Sequence, residues 1–240
     1  MIRMNLVWAS AGAAAGLLVG AAFRATVFRF STVTGDQTTG ICGRCKTPAE
    51  RRFALRCEQC RASLGIPFVL ELTTAAVLAL LLGRFGGQPD VIAFGFFGAL
   101  GVALAAIDIS VKRLPDPLTL PAYPILIAML GIAALISGDI GAFGRALLGC
   151  LALSGCFLLL ALIRPGQLGG GDIKLAGLTG LVLGWLGWPA LVFGAALAFV
   201  LSAIVGLALL AARRITLKGA MSFGPFLIGG AVLAALMSAR

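Results

Sequence analysis

Two aspartates carry the strongest chemical signal in the sequence. Asp108 ends a long apolar run that begins at Val91, and Asp172 follows Gly169-Gly170-Gly171 directly ahead of another apolar stretch. An ionised side chain costs about 2.5–3.5 kcal/mol at the centre of a membrane helix on an insertion scale, so a carboxylate in such a place marks a site or a pathway. Two carboxyls brought close together do not both ionise readily and tend to share a proton. One can then act as base on a water and the other as acid toward a peptide carbonyl or leaving amine. The chain contains no histidine. That removes His bases, His metal ligands and any Ser-His-Asp site, whereas chemistry of the aspartic-protease type needs none of them.

The surrounding residues are read against that pair. Gly169 and Gly171 allow unusual backbone angles and close approach of an extended peptide. Lys174 adds positive charge beside Asp172, at a helix start whose dipole already favours a carboxylate. Taken alone, Gly169–Asp172 would read as a loop with an Asp helix cap. Asp116, in Leu114-Pro115-Asp116-Pro117, reads as a helix N-cap with Pro at the first helical position. Glu71 fits packing and binding equally. Of the nine carboxylates, Asp36, Glu50 and Glu58 fall in a polar loop, and Asp90 and Asp139 in turns at the opposite face.

Four of the six cysteines form Cys42-Gly-Arg-Cys45 and Cys57-Glu-Gln-Cys60, two Cys-x-x-Cys pairs separated by 11 residues. This spacing predicts one closed tetrahedral zinc site, structural because it leaves no open coordination position. Neighbouring Arg and Lys residues favour the thiolates. Cys150 and Cys156 lie in an apolar segment and read as small packing residues.

These groups must be positioned by membrane helices. The 240-residue chain is 60% hydrophobic and 12% charged with 33 glycines, and its mean hydropathy is +1.06. That composition excludes a soluble globular enzyme and a disordered chain. Its apolar runs are long and continuous, unlike the short alternating strands of an outer-membrane barrel. The sequence predicts an all-α polytopic protein with about eight spans, near 4–23, 66–82, 91–109, 118–136, 143–163, 175–186, 189–212 and 223–237. The parts are a first transmembrane helix (1–30), a cytoplasmic Cys-rich zinc loop (31–63) and a transmembrane peptidase region (64–240).

Arg24 and Arg29 follow the first span, which favours a retained helix over a cleaved signal peptide. With the N-terminus outside, all of the 19 Lys and Arg residues except Arg3, Arg84, Arg145 and Arg240 fall on the inner side. The net charge of +10 is therefore assigned to orientation, with no nucleic-acid partner. The Cys loop, the Asp108–Asp116 turn and the Asp172 turn share the cytoplasmic face.

The sequence resembles the type IV prepilin peptidases, the leader peptidases of bacterial pilin and type II secretion systems. The resemblance runs over nearly the whole chain. It lies in the first span, the paired Cys-x-x-Cys loop, Arg56-Cys57-Glu58-Gln59-Cys60-Arg61, and Pro67-Phe68-Val69-Leu70-Glu71-Leu72. It continues through Asp108 with Leu114-Pro115-Asp116-Pro117-Leu118-Thr119-Leu120-Pro121. Gly169-Gly170-Gly171-Asp172-Ile173-Lys174-Leu175 carries the Gly-x-Gly-Asp motif, and Phe223-Gly224-Pro225-Phe226 opens the last span.

The resemblance implies an inner-membrane aspartic endopeptidase whose catalytic pair is Asp108 and Asp172. Its substrates would be prepilins or pseudopilins bearing a short basic leader, commonly cut after Gly at the cytoplasmic face. Many members also methylate the new N-terminus with S-adenosylmethionine, an activity tied to the Cys-rich loop. Here the linker between the Cys pairs is short and lacks the usual aromatic-acidic stretch. Gly20-Ala21-Ala22-Phe23-Arg24 stands where many members have a Ser-Phe-Leu-Asn run.

Two alternatives stand beside this reading. Presenilin and signal-peptide-peptidase relatives share Gly-x-Gly-Asp but usually carry Tyr before the first Asp, where this chain has Ile107, and a later Pro-Ala-Leu element. A proton-coupled transporter could use an intramembrane Asp pair, but repeated halves are expected of one and no convincing repeat is visible.

Overall fold

A computed structural model describes residues 5–31, 68–163, 169–212 and 222–238. The described residues form eight helices and no strand: α1 Leu6–Ser31, α2 Val69–Phe85, α3 Val91–Val111, α4 Asp116–Ser137, α5 Ile140–Ile163, α6 Gly170–Leu186, α7 Trp188–Ala211 and α8 Gly224–Met237. Among the described residues, five regions are long and apolar enough to cross a membrane: residues 6–24 within α1, and α3, α4, α5 and α7. The remaining helices are shorter, α2 and α6 at 17 residues and α8 at 14. The four cysteines expected to bind zinc, Cys42, Cys45, Cys57 and Cys60, lie outside the described residues.

Apolar runs become helices in a bilayer because only a helix satisfies every backbone N–H and C=O within its own segment. All eight elements coincide with expected spans, but some boundaries differ. The α6 helix starts at Gly170, so the Gly-Asp motif is its first turn and not a preceding loop. The α1 helix continues to Ser31, beyond the apolar run that ends near residue 23.

The helices that carry the two aspartates are the inner ones. Most side chains of α3 and α6 are buried, whereas α5 and α7 bury only a few residues each. The most intimate neighbours are the pairs α1 with α2, α5 with α6 and α7 with α8. Small residues make these approaches possible, since close backbone packing substitutes for a hydrophobic driving force between helices in lipid. Gly12, Gly16 and Gly20 recur every fourth residue and lie on the backbone of α2 at Leu78, Ala75 and Glu71. Gly149 of α5 meets Gly180 and Gly184 of α6, and Gly194 of α7 meets Gly230 of α8.

Away from the two catalytic candidates, the opposite end of the bundle has its own polar tie. The Trp185 indole N–H donates to Oδ2 of Asp90 at 2.6 Å, and both residues are buried. Arg84 donates to the Ser238 carbonyl at 2.6 Å. Asp90 stays in the turn ahead of α3, as its sequence position suggests, and there makes a buried link to α6. Asp139 does behave as a cap, accepting the Ala142 N–H at 2.8 Å.

Candidate active site

Asp108 sits in the last turn of α3, where its carbonyl accepts the Lys112 N–H that closes the helix. It is only 4% exposed. Its Oδ2 accepts two hydrogen bonds from the segment leading into α8: one from the Ser222 hydroxyl and one from the Gly224 N–H at 3.0 Å. Gly224 is required for this approach, because a Cβ there would stand 2.6 Å from Oδ2. Phe223, between these donors, packs against Phe157 of α5 and Phe199 of α7 with ring centroids 5.6 and 5.1 Å away. That aromatic cluster anchors the start of α8 and so aims the donors.

Asp172 lies in the first turn of α6, where its Oδ2 accepts the Gly169 N–H at 3.3 Å. It is partly buried, and the same end of α6 reaches the Asp108 site: a Cβ on Gly224 would stand 3.2 Å from Cγ of Asp108 and 3.4 Å from Cδ2 of Leu175, about one turn past Asp172. The structure thus brings the two expected aspartates from separate helices to one end of the bundle. Two such carboxyls are suited to share a proton and activate water.

The glycine stretch acts through space, not through unusual torsions. Gly169 has ordinary extended angles, φ −78° and ψ 146°, and Gly170 and Gly171 are helical. Gly171 lets the first turn of α6 approach Leu114, whose Cβ would be 2.9 Å from an added Cβ. Nothing crowds Gly170.

The capping role expected of Asp116 is overturned. Pro115 is the N-cap, Asp116 is already in the first turn, and its side chain caps nothing. Its Oδ1 instead pairs with Lys174 Nζ at 2.6 Å. The lysine cation offers the carboxylate a stronger partner than a free backbone N–H. Lys174 therefore joins α6 to α4 two residues beyond Asp172. Tyr123 reinforces the junction by donating its hydroxyl to the Lys174 carbonyl at 2.6 Å, and Gly177 leaves the room that the phenol occupies.

Glu71, left open by sequence, is buried and ion-paired with Arg24 of α1. Among the described residues its Oε2 has no hydrogen-bond partner. Next to this pair, a largely apolar cavity of about 690 Å³ lies between α1, α2, α3 and α8. Arg24 lines it, together with Ile109 and Ser110, the two residues after Asp108. Sequence reasoning missed Ser222 and Tyr123 as site neighbours and gave Gly224 no task. The only signals were a polar residue just ahead of the last span and a lone tyrosine in an apolar helix.

Residues 95–210, which include both aspartates, match the type IV leader peptidase family. A protein of Burkholderia pseudomallei (strain 1026b) named prepilin leader peptidase/N-methyltransferase is 34% identical over 182 residues, 73% of this chain and 56% of the relative. Relatives of the same name occur in Bacillus subtilis (strain 168), 31% identical over 86% of this chain and 83% of the relative, and in Pseudomonas aeruginosa, 31% identical over 72% and 59%. The chain thus spans little more than half the length of several curated relatives it matches. No solved structure matches it. With both aspartates inside the matched stretch, and most of the Bacillus subtilis relative covered at that identity, the chain belongs to the type IV leader peptidase family.

Proposed function

We propose that this protein is a membrane aspartic endopeptidase that removes the leader from type IV prepilins or pseudopilins at the cytoplasmic face of a bacterial inner membrane. The observation that carries the reading is the placement of Asp108 at the end of α3 and Asp172 at the start of α6 at one end of the bundle, where Gly224 lies against both Asp108 and Leu175 of α6. The names of the relatives support leader peptides as the substrate class. The two-sided distribution of Lys and Arg supports the orientation and the count of eight spans.

In this mechanism one carboxylate takes a proton from a water, whose oxygen attacks the scissile carbonyl while the protonated partner donates to the carbonyl oxygen. Collapse of the gem-diol breaks the C–N bond, and a carboxyl proton passes to the leaving nitrogen. The products are a leader carboxylate and a new N-terminal amine. Mass spectrometry of a co-expressed prepilin tests the reading: leader loss is expected, and an intact leader overturns it.

The same spectrum reports a second activity. N-methylation of the new amine with S-adenosylmethionine is supported by the relatives' names alone. Cys42, Cys45, Cys57 and Cys60 are proposed to hold one structural zinc, on the strength of their spacing. Metal analysis of protein purified under reducing conditions without chelator should find about one zinc per chain for such a closed site. Metal-free protein that remains folded would sink that assignment.

A further inference from the structure

Ser222 has no part in the mechanism above, and it lies outside the stretch matched to the family. Its hydroxyl and the Gly224 N–H converge on a single oxygen of Asp108, Oδ2. No hydrogen bond from a described residue reaches Oδ1. The terminal torsion of an aspartate is broad and roughly two-fold, so an unheld carboxylate samples many orientations and exchanges its two oxygens. Two donors from one anchored segment remove that freedom. The Gly224 N–H can only donate, which keeps Oδ2 an acceptor, while the hydroxyl supplies the second point that a single bond would lack. The Phe157–Phe199–Phe223 cluster holds the intervening residue, so Ser222 and Gly224 are fixed as a unit.

We propose that Ser222 is a positioning residue that clamps Oδ2 of Asp108 and leaves Oδ1 as the oxygen that works on the attacking water. The proposal rests on the peptidase reading. Asp172, in the first turn of α6 at the same end of the bundle, then shares its proton with Oδ1 and not with the clamped oxygen. A loosened Asp108 still permits substrate to bind, because Ser222 acts on the carboxylate and not on the leader. The loss falls on the chemical step.

The experiment compares the full chain with Ser222→Ala, Ser222→Thr and Ser222→Val in detergent, cleaving a purified prepilin, with Asp108→Asn as the inactive reference. A hydrogen bond to a charged group corresponds to a loss of about ten- to hundred-fold in kcat for Ser222→Ala, with KM unchanged. Thr retains the hydroxyl and should recover most of the rate. Val has the shape of Thr without the hydroxyl and should not, which separates the clamp from packing even where Ala melts early. The proposal is overturned if Ser222→Ala keeps wild-type kcat, if only KM moves, or if Thr and Val behave alike. A wild-type chain that cleaves no prepilin overturns the peptidase reading itself, and the clamp with it. An active wild type with an unaffected Ser222→Ala overturns the clamp alone.

Discussion

Lys174 Nζ stands 2.6 Å from Oδ1 of Asp116, a link between α6 and the first turn of α4. It ties the helix that carries Asp172 to the helix that follows Asp108. Both side chains are substantially exposed, and exposed ion pairs typically contribute about 0.2–1 kcal/mol. Asp116→Asn and Lys174→Met should therefore barely change the melting temperature. Each should slow processing a few-fold by loosening the register of Asp172, and the double variant should be no slower than the worse single one. Additive losses in prepilin processing would show that the two residues act separately.

The proposed dyad makes the sharpest demand. Asn matches Asp in shape but cannot exchange a carboxyl proton, so Asp108→Asn and Asp172→Asn should each abolish leader removal while leaving expression and melting near wild type. Residual cleavage by a well-folded Asp172→Asn would remove Asp172 from the catalytic pair.

Gly224→Ala places a methyl 2.6 Å from Oδ2 of Asp108. The carboxylate must move, and overpacking of this kind costs about 1–3 kcal/mol. Processing should fall much further than stability, measured side by side as leader cleavage and thermal unfolding.

At the far end, Trp185→Phe deletes the donor to buried Asp90. A hydrogen bond to a charged group contributes about 1.5–3 kcal/mol, so the variant should unfold at lower temperature yet process prepilin normally where it remains folded. A fall in processing without a fall in melting temperature would contradict a purely structural tie.

Gly16→Leu tests the seam between α1 and α2. An added Cβ at Gly16 would overlap the backbone of Ala75, so α1 should separate from α2. Thermal unfolding in detergent should show Gly16→Leu melting well below the wild type, and unchanged melting would show that α2 does not lie on this seam.

The elements and the two catalytic candidates were legible without a structure, because their signals are local. An apolar run of about 20 residues reports a membrane helix by its own composition, and a carboxylate ending such a run stands out without knowledge of its partner. The Gly-Asp motif and Asp108 were found this way. The contacts that orient them were not legible. Lys174 and Asp116 are 58 residues apart, Trp185 and Asp90 are 95 apart, and Ser222 and Asp108 are 114 apart. Asp116 looked like a cap because its neighbours on the chain are prolines, but its carboxylate is drawn to a cation on another helix. Gly12, Gly16 and Gly20 display a spacing in the sequence, yet only the packed bundle shows that α2 lies on it. Sequence by itself determined the order of the apolar helices, though not all their boundaries, and marked the two aspartates at their ends. Tertiary structure decided which oxygen of Asp108 is held and what holds it, because a side chain's hydrogen bonds go to whichever donors folding brings near, and distance along the chain does not say which those are.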